Sequence, residues 1–270
     1  MPFHPFIIRT ILLASFLTGN LLLSPFISFA DPPADTSDPA FQKALENVVE
    51  QYIITHLEII ELTLQGLQAK RQAEERERVR KTIATRQEDL LNDPNSPVSG
   101  NLKGDVTVVE FFDYRCGYCN RVAGTVTQLQ KDDPDVRVVY KDFPILGEHS
   151  VYAAKAALAS QAQGQHLVFH EALLASDQEL TEDTVLFIAR TVGLDTARLT
   201  ADMKSPDIQD HLDRNQSLAR ELGIQGTPGF IVGSELAPGA MSLEDLKSLI
   251  ASLRNQQGQP SNLPESQDRP

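Results

Sequence analysis

The chain has 270 residues, with 24 Lys or Arg and 37 Asp or Glu, so its formal net charge is −13. Strong negative charge disfavours nucleic acid and anionic lipid surfaces as binding partners. The chain contains 2 cysteines, which would supply only half of the ligands that a structural zinc site needs.

Residues 1–30 predict a signal peptide. Arg9 precedes an apolar stretch over 11–23, and small residues precede a cleavage point after Ala30. An uncleaved membrane anchor is the alternative, but polar residues and a proline interrupt the apolar stretch. Export would place the chain where disulfides form. Residues 31–38 follow as a flexible start of the mature chain.

Residues 39–68 predict an amphipathic helix. Its apolar side chains recur at three- and four-residue steps and form one stripe: Phe41, Leu45, Val48, Val49, Tyr52, Ile53, Leu57, Ile60, Leu64 and Leu67. Residues 69–95 predict a charged helical linker with opposite charges at helical spacing, as in Glu77 and Lys81. Because this linker would hold the stripe away from the rest of the chain, we expect the stripe to associate with copies of itself. A packed helix without a partner is the alternative.

The turn-rich segment 92–97 predicts a domain boundary, and a catalytic domain follows over 96–254. Its predicted elements are a strand at 106–114, a helix at 120–130, a strand at 136–143, a helical block over about 147–222, a short strand at 230–233 and a helix at 242–253. The polar tail over 255–270 predicts disorder.

Cys116 and Cys119 lie where the first strand meets its helix. A Cys-x-x-Cys there indicates redox chemistry, because backbone N–H groups and the helix dipole favour negative charge on the first sulfur. A purely structural disulfide would close too short a loop to stabilise the fold much. His166 and His170 have the spacing of a ligand pair but are far from Cys119 in sequence. We therefore expect ordinary helix residues there, no metal site, and no cofactor beyond a redox-active Cys116–Cys119 disulfide.

The order of elements over 100–253 resembles a thioredoxin fold with a helical insertion, as in the DsbA family of exported thiol–disulfide oxidoreductases. Two motifs carry this resemblance: Val-Glu-Phe-Phe-Asp-Tyr-Arg-Cys-Gly-Tyr-Cys at 109–119 and Gly-Thr-Pro-Gly-Phe at 226–230. The segment 39–91 further resembles the oligomerising N-terminal region of ScsC-type members. The resemblance implies an α/β protein of the periplasm, with a thioredoxin fold preceded by an N-terminal helical oligomerisation extension.

The resemblance also implies roles for the residues of the two motifs. Cys116 would be the exposed, attacking thiol, and the more buried Cys119 would resolve the mixed disulfide. The intervening residues Gly117 and Tyr118 would tune the pair. Pro228 would be cis beside the sulfurs, and Thr227 would flank Cys116.

Glu110 matches a buried acid of the family and would accept the proton of Cys119. Lys141 on the neighbouring strand is a candidate partner for it. The alternative is a satisfied or edge-exposed glutamate without a role. Asp113, Tyr114 and Arg115 are expected to rim the site, with Arg115 either near the thiolate or simply solvated.

The resemblance favours an isomerase or reductase that acts on cysteine-containing, misoxidised exported proteins. A membrane thiol reductase would keep such an enzyme reduced. The alternative within the same chemistry is a DsbA-like dithiol oxidase, whose partner would be a membrane oxidase. The alternative from another class is a non-catalytic oligomeric chaperone or a copper-handling protein that uses the two sulfurs as soft ligands.

Overall fold

The computed structural model describes residues 37–258. These residues divide into two units, and the boundary in the sequence lies between Leu64 and Gln65. The predicted signal peptide over 1–30, most of the flexible start over 31–38 and the end of the tail over 259–270 lie outside the described residues. No helix within 37–258 is long and apolar enough to cross a membrane.

The first unit holds helix α1 (Pro39–Thr55) and the beginning of helix α2 (Leu57–Thr85). The helix predicted over 39–68 is therefore interrupted at His56, whose ring stacks on Tyr52 with the ring centroids 4.2 Å apart. The apolar stripe of 41–64 is exposed along its whole length.

Within the described residues, the second unit contains the rest of α2, eight further α-helices, one 3-10 turn and a mixed sheet. Its helices are α3 (Gln87–Leu91), α4 (Gly117–Asp132), α5 (Glu148–Ala159), α6 (His166–Leu174), α7 (Glu182–Thr191), α8 (Thr196–Asp202), α9 (Pro206–Leu222) and α10 (Leu243–Gly258), with a 3-10 turn at Ser160–Gln163. Its strands are β1 (Val98–Gly100), β2 (Val106–Phe112), β3 (Val136–Asp142), β4 (Gly229–Val232) and β5 (Glu235–Pro238).

The strands that the structure describes lie in the order β1-β3-β2-β4-β5. Strands β2 and β3 are parallel and joined through α4, whereas the other neighbours are antiparallel. Helices α5 to α9 separate β3 from β4 in sequence, which agrees with the insertion predicted at about 147–222. The short edge strand β1 was not predicted, because three residues give no readable alternation.

Strand β2 is buried on both faces. One face contributes Val106, Val108 and Phe112 to a core that includes α4, α10 and the insertion. The other face contributes Val109 and Phe111 to a second core. Because β2 is packed on both faces, the position of its C-terminal end is well defined. The Cys-x-x-Cys motif follows directly and is positioned by this end of the strand.

The second core includes residues from the segment that was predicted to be a charged linker. Val79, Ile83 and Leu90 are buried there with side chains of α9, β2 and β4. Val79 and Ile83 are one helical turn apart on α2, and Leu90 lies on α3. These few apolar residues suffice because they pack on an apolar surface formed by residues far away in sequence. The linker prediction for 69–95 is therefore wrong at its C-terminal half, and 92–97 is not where the chain divides.

Basic side chains flank this packed face of α2 and α3. Arg86 pairs with Glu221, and Arg78 Nη1 donates a hydrogen bond to the Glu221 carbonyl oxygen at 2.7 Å. Arg80 pairs with Glu235 at 2.6 Å. The charges that suggested a solvated spacer thus make contacts within the second unit. Solvent-exposed pairs of this kind add little stability each, so the buried apolar residues dominate the attachment.

Helix α10 is longer than predicted. It extends to Gly258, so the tail predicted to be disordered from 255 is helical at its start. Ser242 caps the helix as expected, since its Oγ accepts a hydrogen bond from the Asp245 N–H at 3.1 Å. Arg254 binds Asp105 and Asp133 near the C-terminal end of this helix.

Replacing Leu90 by Ala tests whether α3 belongs to the core of the second unit. Leu90 is 0% exposed, so Leu90→Ala should lower the free energy of unfolding by about 2–4 kcal/mol, through lost burial and a cavity. Urea unfolding of the second unit measures this. Leu102→Ala is the control, because Leu102 is 71% exposed and its loss should change little. Equal effects of the two substitutions would contradict the packing.

Candidate active site

The turn after β2 is fixed by Asp113. Its carboxylate accepts hydrogen bonds from the backbone N–H groups of Arg115 at 2.8 Å, Ile145 at 2.8 Å and Leu146 at 3.0 Å. Asp113 is buried, so it does not rim the site as predicted. It instead ties the turn before the cysteines to the loop that begins the insertion.

Cys116 occupies the N-cap position of α4, with an extended backbone conformation. Its Sγ donates a hydrogen bond to the Thr227 carbonyl oxygen at 3.1 Å. Cys116 is 7% exposed, less than expected for an attacking thiol, whereas the adjacent Gly117 is exposed. A Cβ at Gly117 would meet only the Arg121 guanidinium, at 4.0 Å, so the space beside Gly117 is open.

Cys119 follows one helical turn later and is fully buried. Both cysteines are free thiols. Burial raises the pKa of the Cys119 thiol well above its usual range, and the neighbouring Cys116 and Glu110 charges raise it further. The arrangement therefore places a protected second thiol behind the first, as predicted from the sequence.

The Thr227–Pro228 peptide bond is cis. The loop that contains it precedes β4, whose Gly229 pairs with Phe111 near the end of β2. This antiparallel pairing brings the loop to the same edge of the sheet as Cys116. Thr227 is half-buried and Pro228 is buried.

Tyr118 stands beside the two cysteines and is 59% exposed. The Arg121 guanidinium lies 4.2 Å from the centroid of its ring, in a cation–π contact. Tyr118 also lines one end of a groove of about 620 Å³. The other residues of this groove come from α2 and from the segments that flank β4: Glu75, Arg76, Val79, Arg80, Leu222 to Gly229, Ser234 to Leu236 and Pro238 to Ala240.

Glu110 lies on β2 and is buried. Burial raises its pKa to about 8, so its carboxyl is largely protonated at neutral pH. Its charge acts on Cys119, which places it within electrostatic reach of that thiol. Glu110 also lines a second pocket of about 340 Å³ between α4 and α6. The position fits the proton acceptor that the resemblance implies.

Lys141 is not the partner of Glu110. In the register of β2 and β3, Lys141 is opposite Phe111, whereas Glu110 is opposite Tyr140, so the two side chains belong to different faces of the sheet. The Lys141 ammonium donates to Ser96 Oγ at 2.7 Å and to the Asp89 carbonyl oxygen. Lys141 therefore ties the segment after α3 to the sheet.

Tyr114 and Arg115 also lie elsewhere than predicted. Tyr114 is buried, and its hydroxyl forms a 2.9 Å hydrogen bond with His170 Nδ1. Arg115 donates to the Leu146 carbonyl oxygen at 2.7 Å and lies 3.5 Å from Glu179. It is thus neither directed at the Cys116 sulfur nor simply solvated, but braces the loop before the insertion.

His166 and His170 are buried on α6, with their ring centroids 5.6 Å apart. Burial lowers the pKa of His166 to about 4 and that of His170 well below its usual range, so both rings are neutral. Within 37–258 no group of three or more His, Cys, Asp or Glu side chains could hold a metal ion.

The sequence reasoning missed a buried carboxyl at Asp142. Neither of its side-chain oxygens has a hydrogen-bond partner, and burial raises its pKa to about 8. Asp142 is opposite Phe112, two residues along the strands from the pair of Glu110 with Tyr140. The signal was present in the sequence, since Lys141 and Asp142 directly follow the largely apolar run Val138, Val139 and Tyr140 of the same strand.

Curated proteins match this chain over part of their length. The chain is 30% identical over 157 residues to the Na(+)/H(+) antiporter NhaA 3 of Salinispora tropica, a match that covers 57% of this chain and 24% of the antiporter. The chain thus spans about a quarter of the length of that curated relative.

Solved structures match over more of their length. A thioredoxin-like oxidoreductase from Silicibacter pomeroyi is 48% identical with a TM-score of 0.62, covering 62% of this chain and 97% of that one. Proteus mirabilis ScsC in a transitional conformation is 27% identical with a TM-score of 0.61, covering 82% of this chain and 98% of that one.

The ScsC match extends over a larger share of this chain than the Silicibacter match does, as the predicted resemblance of the N-terminal extension implies. The family described as the DSBA-like thioredoxin domain matches residues 107–251, which include both cysteines and the cis-proline loop. The chain belongs to the family of DSBA-like thioredoxin domains and resembles its ScsC-type members.

Proposed function

We propose that the protein is a thiol–disulfide oxidoreductase that reduces or isomerises the disulfides of misoxidised exported proteins. One observation carries the proposal: the Cys116 thiol lies at the start of α4 against the Thr227 carbonyl oxygen, with Cys119 buried behind it. This arrangement supports attack by the Cys116 sulfur on a client disulfide, followed by slower attack of Cys119 on the mixed disulfide.

The first step is attack by the Cys116 thiolate on one sulfur of a client disulfide. A new bond joins Cys116 to that sulfur, the client disulfide breaks, and its second sulfur leaves as a thiolate. Cys116 is the N-cap residue of α4, so the attacking sulfur lies at the start of the helix. The open space beside Gly117 would give the client sulfur access.

Two outcomes then compete. In reduction, Cys119 loses its proton and attacks Cys116, so that the client leaves with two thiols and a Cys116–Cys119 disulfide remains. In isomerisation, the freed client thiolate attacks another client disulfide, and the thiolate displaced there attacks the mixed disulfide and releases Cys116 without net electron transfer. The raised pKa of Cys119 slows reduction and so favours isomerisation.

Glu110 would control this competition. Its ionised carboxylate would accept the proton of Cys119, but burial keeps most of the carboxyl protonated below about pH 8. Resolution by Cys119 should therefore accelerate as the pH rises through that value. The mixed disulfide would therefore persist longer at neutral pH than above pH 8.

The proposal includes partners and a location. A membrane thiol reductase would return Cys116 and Cys119 to the free thiols, and a signal peptide would deliver the chain to the periplasm. The exposed stripe over 41–64 supports homo-oligomerisation, because exposed apolar surface of this extent favours burial against a second copy. Several Cys116 sites could then act on one client.

Replacing Cys119 by Ser should abolish net reduction and trap clients. Cys116 would still attack, but the serine hydroxyl cannot displace the client sulfur. The expected result is mixed disulfides visible on non-reducing gels and turnover reduced at least about a hundredfold. Cys116→Ser is the control, since it should form no adducts. A Cys119→Ser variant that forms none would contradict the mechanism.

Removing the first unit should separate isomerisation from simple exchange. A chain beginning at Gln65 keeps Val79, Ile83 and Leu90 in the core but lacks the stripe. We expect both chains to reduce a small disulfide at similar rates, whereas recovery of a scrambled test enzyme should fall several-fold on truncation. If neither chain rescues the scrambled enzyme and both oxidise a reduced one, the protein is a DsbA-like oxidase.

Replacing Glu110 by Gln should stabilise the fold and slow resolution. A carboxyl whose folded pKa of about 8 exceeds its unfolded value costs stability as the pH rises from the unfolded to the folded pKa. Glu110→Gln removes this cost, so the free energy of unfolding should increase by about 1–3 kcal/mol at pH 8 and little at pH 4.

The same variant should slow reduction of the mixed disulfide and remove its rise near pH 8. Stopped-flow measurement of client release across pH 6–9 tests this second effect. A profile identical to that of the native chain would exclude Glu110 as the proton acceptor, even if the variant were more stable.

A further inference from the structure

The groove beside the active site has two walls from distant parts of the chain. One wall is formed by the segments that flank β4, including Ile224, Thr227 and Leu236. The other is formed by α2, through Arg76, Val79 and neighbouring residues. The N-terminal extension thus contributes directly to a surface that begins at Tyr118, two residues from Cys116.

The residues that line the groove suit an extended polypeptide segment. Strand β5 forms the last strand of the described sheet, so its outer edge has no strand partner there. Glu235, Leu236 and Pro238 of this strand line the groove. Exposed strand edges bind extended segments through backbone hydrogen bonds, while side chains fill apolar positions. Val79 and Ile224 supply apolar surface of this kind.

The acidic side chains of the groove are paired with arginines, whereas one of its basic side chains is not paired within the described residues. Glu75 pairs with Arg78, and Glu235 pairs with Arg80, so both acidic side chains of the groove are neutralised. Arg76 forms no ion pair within 4.0 Å with any residue the structure describes. This leaves uncompensated positive charge at one wall, in a chain whose overall charge is −13.

A second cation lies beside Tyr118, the groove residue nearest to the cysteines in sequence. Arg121 contacts the face of the Tyr118 ring and makes no ion pair within the described part of the chain. The α2 wall of the groove and its Tyr118 side therefore each carry one basic side chain. A client segment with acidic residues near its cysteine would place its charge beside them, whereas a basic segment would be repelled.

We propose that this groove binds the client as an extended segment, and that Arg76 on α2 and Arg121 on α4 are specificity-determining residues that favour acidic side chains close to the reactive cysteine. The inference rests on the proposed function and adds a substrate class to it. It assigns α2 a role in client selection that is distinct from self-association.

The test uses two peptides that each contain one cysteine, activated as a mixed disulfide with 2-thiopyridine. Glutamates flank the cysteine in one peptide and lysines in the other. The Cys116 thiolate of the full chain carrying Cys119→Ser attacks the peptide sulfur, and the released thiopyridone is followed by its absorbance. The measured quantity is the ratio of the two second-order rate constants.

We expect the glutamate peptide to react faster, and Arg76→Glu should lower the rate ratio by about two- to tenfold. Arg71→Glu is the matched control: it makes the same charge change on the same helix, and Arg71 does not line the groove. The ratio should change far less in this control. High salt should reduce the difference, because the charges are exposed to solvent.

Equal rate ratios for Arg76→Glu, Arg71→Glu and the parent chain would overturn the inference. A neutral small disulfide, hydroxyethyl disulfide, separates this failure from that of the proposed function. If it reacts equally in all variants while the peptides show no charge preference, only the groove assignment fails. If it does not react with Cys116 at all, the proposed function fails and the inference fails with it.

Discussion

The hydrogen bond from the Cys116 thiol to the Thr227 carbonyl oxygen is the contact on which the site depends. These residues are 111 positions apart in the chain, and the whole helical insertion lies between them. They meet because β4 returns beside β2 in antiparallel register. The architecture of the sheet, rather than local sequence, therefore brings the second motif to the first.

The central strands contain ionisable side chains whose burial is energetically unfavourable. Glu110 and Asp142 are buried carboxyls whose pKa values are raised to about 8, and Lys141 is a buried amine. Lys141 has hydrogen-bond partners that join the segment after α3 to β3, so a structural role accounts for it. Glu110 has no comparable compensation, and this is the observation behind its proposed role as the proton acceptor of Cys119.

Local motifs were sufficient to predict the centre of the site, and long-range packing determined where the prediction failed. Cys116 and Cys119 follow a recognisable strand, and the cis-proline loop has its own short signature. The prediction that Lys141 is the partner of Glu110 was wrong. Which residues of β2 and β3 share a face of the sheet depends on the register between the two strands, and the sequence of either strand alone does not reveal this register. Val79, Ile83 and Leu90 were assigned to a solvated linker because their packing surface includes α9, far along the chain.

Helix α2 shows why the extension cannot be treated as one functional segment. Its first residues carry exposed apolar side chains in the first unit, whereas its C-terminal half supplies core residues and a groove wall in the second. A deletion up to the turn at 92–97 would remove Leu90 from the core and Arg76 from the groove. Loss of activity after such a deletion would therefore not distinguish lost association of the stripe from damage to the site. Only a cut at the boundary between Leu64 and Gln65 separates association of the stripe from the integrity of the site.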